Sequence, residues 1–292
     1  MTLDECRRFY AEEIQYAANL DSPALVAAFA RVPREKFLGP GPWQIALPVI
    51  GRDGATCTTT YTTVNDPRQL YHNVLIAIDA TRHLNNGQPS ALAFWINALD
   101  LEIGDRVFHL GCGVGYYTAI MAEVVGPAGN VVAREVDSGL AARARDNLAE
   151  YPNVTVHPGD GAALNEGTYD AIFINAGVTH PHRPWLTRLG EGGCIVLPIT
   201  VAIGDTGSGK GLMVKIIRDR GYLAAQVLSD VAIYSCTSGR DSQLEPFLEK
   251  ALATGLLQTL KSVRLEPHQE ADTCILHGRD VCLSSTAPRF TS

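Results

Sequence analysis

Three glycines, Gly111, Gly113 and Gly115, close the short apolar run Arg106 to Leu110 and lead straight into the helical pattern Tyr116 to Val125. A strand, a glycine turn and a helix start, in that order, let a small molecule lie against bare backbone with a helix N-terminus facing it. The spacing is G-x-G-x-G. A dinucleotide site asks for G-x-G-x-x-G, and Tyr116 holds the place of its third glycine. A ligand without a pyrophosphate suits this turn better, and S-adenosylmethionine (AdoMet) is the usual one. An NAD-dependent oxidoreductase is the weaker reading of the same residues.

The polar residues downstream fit that ligand. Glu135, followed by Val136, ends a second strand and is placed to accept both ribose hydroxyls. Asp160, followed by Gly161, ends a third strand, Val154 to His157, where a carboxylate accepts from an adenine amino group. Asn175 follows a fourth strand, Asp170 to Ile174, beside the expected reaction centre. His109 stands inside the first strand, where such sites usually carry an acid. A neutral imidazole there accepts one hydrogen bond from the AdoMet ammonium, an imidazolium repels it, and a hydrogen-bonded core histidine is the competing reading.

Methyl transfer from a sulfonium is an in-line displacement. A carboxylate acceptor is already ionised and needs positioning more than a base, whereas a phenol, alcohol or amine asks for one. His180 and His182, in Thr179-His180-Pro181-His182-Arg183, are the catalytic candidates, with exposed loop histidines as the plain alternative. Arg183 either pairs with an acidic substrate or begins a helix. Tyr116 and Tyr117 line the acceptor side or simply pack. His277 and Asp280 fall in a turn and are not taken as catalytic.

The elements that must position these groups follow from periodicity. Residues 3 to 39 read as two helices, with Asp21-Ser22-Pro23 as a start signal. Residues 40 to 88 are irregular. The Thr-rich run Thr56 to Thr63 is β-prone there, and Val74 to Ile78 fits a strand or a helix. Residues 89 to 200 alternate strand and helix: helices Pro89 to Leu99, Leu140 to Glu150 and Pro184 to Leu189, and strands Asn130 to Arg134 and Cys194 to Leu197 besides those above. Strands then follow at Leu212 to Arg218, Tyr222 to Leu228 and Val231 to Cys236. A helix over Leu244 to Leu256 and a strand pair around Cys274 to Leu283 complete the chain, the pair turning at His277 to Asp280. Gly204 to Gly211 reads as a loop and is not a phosphate-binding loop, since no helix pattern follows Lys210.

The fold class is therefore α/β: a mostly parallel, twisted, Rossmann-like sheet with helices on both faces, plus N-terminal helical and C-terminal additions. Three parts are expected: 1–88, helices and an irregular acceptor-side segment; 89–235, the AdoMet-binding core; and 236–292, an extension packed on that core.

Composition narrows the partners. With 292 residues the chain can bury a large core, and no run approaches a membrane span. A net charge of −7 argues against non-specific nucleic-acid binding. The seven cysteines are scattered and form no C-x-x-C pair, so neither a disulfide framework nor a metal site is expected. The first residues carry no secretory pattern, and a reducing cytoplasm is expected. Oligomeric state is left open.

Several motifs together resemble the protein-L-isoaspartate O-methyltransferase family: Gly111 to Tyr116, Glu135-Val136-Asp137, Asn153 to Val156, Gly159-Asp160-Gly161, Tyr169 to Ile172, Gly192 to Pro198, and the N-terminal Arg31-Val32-Pro33-Arg34-Glu35-Lys36-Phe37. The resemblance runs from about residue 20 to 200, with a longer stretch over 40 to 84 and a poor match beyond about 235. It implies AdoMet as methyl donor, S-adenosylhomocysteine as product and a carboxylate acceptor, with Gly111, Gly113, Glu135, Asp160 and Gly161 in the cofactor site. Two places depart from the family pattern. The family's acceptor loop resembles T-I-S-A-P-H, whereas this chain reads Asn85-Asn86-Gly87-Gln88-Pro89-Ser90, and His109 replaces an acid. Backbone N–H groups of that loop, with Gln88 and Ser90, are still placed to hold the AdoMet carboxylate. The expected acceptor is thus a carboxylate of a peptide, protein or small molecule other than a general isoaspartyl substrate. A genuine isoaspartyl methyltransferase and an inactive AdoMet-binding regulator are the alternatives.

Overall fold

The computed structural model describes residues 1–50, 57–162, 164 and 166–288; Thr56, the first of the Thr-rich run, lies outside them. Helix α1 (Leu3–Ala17) opens on a capping box in which Thr2 and Glu5 satisfy each other's backbone N–H groups. Helix α2 (Pro23–Arg31) is capped by the Ser22 hydroxyl, with proline at its first position. Pro33 interrupts the pattern and α3 (Arg34–Leu38) restarts it, so three helices stand where two were expected.

The irregular stretch folds as a sheet of its own: β1 (Trp43–Ile50), β2 (Cys57–Val64), β3 (Leu75–Asp79) and β4 (Leu84–Asn85), in the order β2-β1-β3-β4. The ambiguous segment Val74 to Ile78 resolves mostly to strand, because Ile76 is buried in a small core with Leu38, Val64 and Leu70. No periodicity over so short a run could announce that contact.

The main body follows as α4 (Pro89–Asn97), β5 (Arg106–Leu110), α5 (Tyr116–Val125), β6 (Asn130–Glu135), α6 (Ser138–Asn147), β7 (Val154–Pro158), β8 (Tyr169–Ile174), α7 (Arg183–Arg188), β9 (Leu189–Ala202), β10 (Ser208–Asp219), β11 (Tyr222–Tyr234), α8 (Glu245–Ala253), β12 (Ser262–Arg264), β13 (Cys274–His277) and β14 (Cys282–Ser284). One sheet holds all ten of these strands, in the order β13-β14-β12-β11-β10-β9-β8-β5-β6-β7. The strands β7, β6, β5, β8 and β9 pair in parallel, and from β9 outward every pairing is antiparallel. The chain leaves β5 towards β6 and β7, then crosses back to β8. That reversal opens a crevice at the carboxyl end of β5, where such sheets bind ligands.

Apolar residues cover both faces of the sheet. Ile14, Phe29, Ile96 and Ile120 pack on one, and Trp185, Leu248 and Leu257 on the other. Among the described residues no helix is long and apolar enough to cross a membrane.

Two expectations change. The strands expected at Tyr222 to Leu228 and Val231 to Cys236 are one continuous strand, β11. The expected loop Gly204 to Gly211 is a turn only as far as Gly207, and β10 begins at Ser208. Glycines leave no apolar or polar mark on either face, so alternation cannot be read through them. The C-terminal segment packs on the sheet through α8 and also extends it, through β12, β14 and β13.

Candidate functional site

The glycine turn and the acid of the next strand form one hydrogen-bonded unit. The Glu135 carboxylate is buried and accepts the Gly113 N–H at 2.8 Å and the Asp137 N–H at 3.1 Å. An ionised carboxylate has about four lone-pair directions, so two remain for hydroxyl donors. The glycines of the turn differ in purpose. Gly113 has φ 56°, and a side chain added there would meet nothing within 4 Å, which marks it as the residue that faces open space. Gly115 has φ 91° and begins α5; a Cβ there would lie 2.7 Å from Leu148, so packing of α6 explains it. Gly111 is pressed against the Asn175 carbonyl, and Gly161 against Leu110.

The other cofactor-side residues fall around this unit. Val136 is 52% exposed beside the Glu135 carboxylate, an apolar surface at the rim. Asp160 is exposed at the end of β7 and accepts the Ala162 N–H at 2.9 Å. The Asn175 carboxamide donates to the Gly111 carbonyl at 3.3 Å, so it holds the turn in place.

His109 does not line the crevice. It is wholly buried, bonded to Thr118 Oγ1 at 2.9 Å and stacked on Phe173 with centroids 5.3 Å apart. Burial holds its pKa down to about 3, so the ring is neutral at physiological pH. The core reading applies, since a residue facing an open cofactor site would be accessible.

The loop Asn85 to Ser90 is tied to the segment before it. Ser90 N–H donates to Asn73 Oδ1 at 3.0 Å, and Asn73 Nδ2 donates to Ser90 Oγ at 3.0 Å. Gln88 Nε2 donates to the Asn73 carbonyl at 2.7 Å and to its Oδ1 at 3.0 Å. Gln88 and Ser90 are both tied to Asn73. Tyr117 secures the same loop by donating to the Gly87 carbonyl at 3.3 Å.

Asn73 is held in turn by Arg34. Its fully buried guanidinium donates to the carbonyls of Leu70, His72 and Val74 at 2.7, 3.1 and 2.8 Å. The rings of Tyr10 and Tyr116 lie 5.6 and 6.0 Å from it. Tyr116 and Tyr117 are thus packing residues. Neither Arg34 nor Asn73 was singled out as a site residue; the one available signal was an arginine inside the otherwise structural Arg31 to Phe37 motif.

A second bridge spans the cleft. Arg82, in the turn between β3 and β4, pairs with Asp137 at 2.8 Å, just beyond the end of β6. The Arg82 carbonyl accepts from the Tyr234 hydroxyl, and the Tyr234 carbonyl accepts the Gly177 N–H beyond the end of β8. The small sheet is so fastened to both sides of the crevice.

His180, His182 and Trp185 form a stacked column, with centroid spacings of 5.2 and 4.5 Å. Trp185 Nε1 donates to the Gly161 carbonyl at 2.9 Å, which sets the column beside the end of β7. Burial, and then the neighbouring His182, bring His180 down to about pKa 4; burial also lowers His182. Both rings are half-buried rather than exposed loop histidines. Arg183 is engaged by the C-terminal segment, donating to the carbonyls of Leu265 and Asp280 at 2.8 and 3.2 Å.

The sequence suggested no metal-ligating set, and the fold brings together four candidate ligand side chains. Far from the glycine turn along the sheet, His268, Cys274, His277 and Cys282 place one ligand atom each within 4.8 Å of one another. Their spacing matches none of the C-x-x-C patterns sought in the sequence, because three separate segments contribute.

A model of the family described as protein-L-isoaspartate(D-aspartate) O-methyltransferase matches residues 55–234. A protein-L-isoaspartate O-methyltransferase from Rhodopseudomonas palustris is 30% identical over 220 residues, covering 74% of this chain and 86% of that one. One from Ignicoccus hospitalis is 36% identical over 145 residues, 48% of this chain; the chain spans 66% of that relative's length. A solved structure from Plasmodium falciparum, assigned to the same family and in complex with S-adenosyl-L-homocysteine, superposes with a TM-score of 0.54 at 18% identity, over 79% of this chain and 98% of that one. At that identity the likeness establishes the Rossmann-like methyltransferase fold.

Proposed function

Because this chain belongs to the protein-L-isoaspartate O-methyltransferase family, we propose that its methyl acceptor is the free carboxylate of an isoaspartyl residue in a peptide or protein. The chain is an AdoMet-dependent methyltransferase; the acceptor and the residue roles are the proposal. The departures at Gly87 and Ser90 had favoured another carboxylate. The observation that carries the isoaspartyl reading is the family match, which runs through the acceptor loop and every strand end of the crevice.

The residues present fit AdoMet. Gly113 leaves backbone open to a ligand, and Glu135 retains acceptor capacity for the two ribose hydroxyls. Val136 offers an apolar surface to the adenine, and Asp160 a carboxylate to its amino group. When bound, AdoMet supplies an electrophilic methyl carried on a sulfonium. The chain's own task is then to align an anionic oxygen and exclude water.

The acceptor side supports that division of labour. His180 and His182 are held neutral by burial, yet their depressed basicity suits them poorly to activating a hydroxyl or amine. An ionised carboxylate has no proton to remove. We assign the two rings to the wall of the crevice, and Asn73, Gln88 and Ser90 to the shape of the acceptor loop. The segment 1–88 acts as acceptor wall, 89–235 as the catalytic body and 236–292 as the edge that supports α7. A reducing cytoplasmic setting is part of this reading, supported by six free cysteines among the described residues.

Transfer of labelled methyl from AdoMet to an isoaspartyl peptide, compared with the same peptide carrying normal aspartate, tests the proposal. The expected product is a base-labile methyl ester on the isoaspartyl form alone. Equal inactivity on both peptides by a protein that binds S-adenosylhomocysteine would sink it.

A further inference from the structure

The four side chains gathered at the C-terminal edge of the sheet take no part in the methyltransferase site. They come from three segments: His268 from the loop after β12, Cys274 and His277 from β13, and Cys282 from β14. We propose that His268, Cys274, His277 and Cys282 form a closed, structural Zn²⁺ site. The inference is independent of the identity of the methyl acceptor.

The backbone is shaped to make the cluster. The spacing is H-x5-C-x2-H-x4-C. In a regular strand, residues three apart point to opposite faces, so Cys274 and His277 would diverge. The β13–β14 ladder shifts register between Cys274 and Leu276, and such a bulge re-aims one side chain. Both residues then join one group. His277 is paired directly across the ladder with Cys282, which brings the third ligand.

The fourth ligand is oriented from behind. His268 Nδ1 lies 2.9 Å from the Glu266 carbonyl, so this nitrogen carries the proton. That bond leaves the Nε2 lone pair directed at the cluster, where it lies 3.6 Å from Cys274 Sγ. Metal-bound histidines are held this way, by their other nitrogen. The Ala271 N–H donates to Cys274 Sγ at 3.4 Å, a contact that favours a thiolate. His277 Nδ1 is buried with no hydrogen-bond partner among the described residues. The two imidazoles meet edge to face, with centroids 4.8 Å apart and planes at 75°, so they approach a common centre from different directions.

The donor set selects the metal. Two thiolates and two neutral imidazoles match a tetrahedral Zn²⁺ in type, number and charge. Zinc–sulfur bonds of about 2.3 Å and zinc–nitrogen bonds of about 2.0–2.1 Å place tetrahedral ligands roughly 3.3–3.8 Å apart. The observed spread of up to 4.8 Å needs a contraction of only about 1 Å. All four positions are filled by protein, which leaves none for a substrate. The role is to fasten strands of three and four residues that offer few ladder bonds of their own. Arg183 donates to Leu265, just after β12, and to Asp280 in the β13–β14 turn, so the metal also steadies the start of α7, next to His182.

Elemental analysis of the full chain, expressed in zinc-supplemented medium and purified under reducing conditions without chelator, is expected to find stoichiometric zinc. Replacement by Co²⁺ is expected to give tetrahedral ligand-field bands and a sulfur-to-cobalt charge-transfer band. Cys274→Ser removes part of the latter. His268→Gln, on the loop, keeps the fold and loses metal to a chromophoric chelator at least tenfold faster. Removal of zinc lowers the melting temperature and makes two further thiols reactive. Zinc well below stoichiometry, an octahedral cobalt spectrum, or a Cys274–Cys282 disulfide in the non-reduced peptide map overturns the site.

Discussion

The two walls of the cleft are built differently. On the wall proposed for the cofactor, each assigned group stands at the end of the strand that carries it: the glycine turn after β5, Glu135 on β6, Asp160 after β7 and Asn175 after β8. On the acceptor wall the key contacts join residues far apart in the chain, from Arg34 to the carbonyls of Leu70, His72 and Val74, from Asn73 to Ser90, and from Tyr234 to Arg82. Strand ends are set by local backbone geometry. A buried side chain that collects carbonyls from another segment has no fixed spacing and leaves no motif.

The contrast can be broken most severely at Arg34. Arg34→Met strips three buried carbonyls of a charged donor, and stability is expected to fall by about 3–5 kcal/mol, given about 1.5–3 kcal/mol for each hydrogen bond to a charged group and partial relaxation. Urea unfolding measures it. A loss below 1 kcal/mol would mean that the acceptor wall does not hang on this residue.

Glu135→Ala tests the other wall. S-adenosylhomocysteine binding is expected to weaken by about 1.5–3 kcal/mol, or roughly 10- to 150-fold, through lost ribose contacts and a released Gly113 N–H. Calorimetry giving unchanged affinity would remove Glu135 from the site.

Two glycines sharpen the comparison within the cofactor wall. Gly115→Ala forces a Cβ to 2.7 Å from Leu148 at a positive φ, so it is expected to lower stability by about 1–3 kcal/mol. Gly113→Ala also meets a positive φ, at a cost of about 1 kcal/mol, but its Cβ enters open space, so the larger stability loss is expected at Gly115 and the larger loss of cofactor affinity at Gly113. If the two variants respond alike in both assays, the division of roles is wrong.

Asn73→Ala should cost about 1 kcal/mol of stability and lower kcat/KM for the acceptor, while S-adenosylhomocysteine affinity stays within twofold. A large affinity loss would place Asn73 on the cofactor wall instead.

The smallest effect on binding is expected at His109, whose variant His109→Leu should bind S-adenosylhomocysteine normally at pH 7. Its folded-state pKa, about 3, lies below the ordinary value of 6.5. The unfolded chain therefore takes up the proton first, and stability drops as pH falls from about 6.5 towards 3, with a slope of up to about 1.4 kcal/mol per pH unit. His109→Leu should flatten part of that slope. His180, at about pKa 4, adds a similar loss over a narrower range.

Much of the cofactor wall was legible in advance. The first strand and α5 were placed to the residue, because apolar runs bounded by glycines constrain strand and helix ends tightly. The positions of Glu135 and Asp160 at strand ends were legible for the same reason. His109 was ambiguous, since a strand residue facing the core and one reaching the ligand differ by the packing of α5, which composition does not record. The bonds of Gln88 and Ser90 to Asn73 were not legible, because Asn73 lies 15 and 17 residues upstream in a segment without periodicity.

The sequence by itself therefore determined the parallel half of the sheet, the AdoMet-type turn and the acids that flank it, because each depends on the local rules of strands, turns and helix starts. Only the tertiary structure decided what the glycine turn alone left open. His109 belongs to the core, Arg34 and Asn73 hold the acceptor loop, and a shift of register at the far edge of the sheet gathers two histidines and two cysteines. Each of those outcomes is a meeting between distant segments, set by the packing of the whole chain.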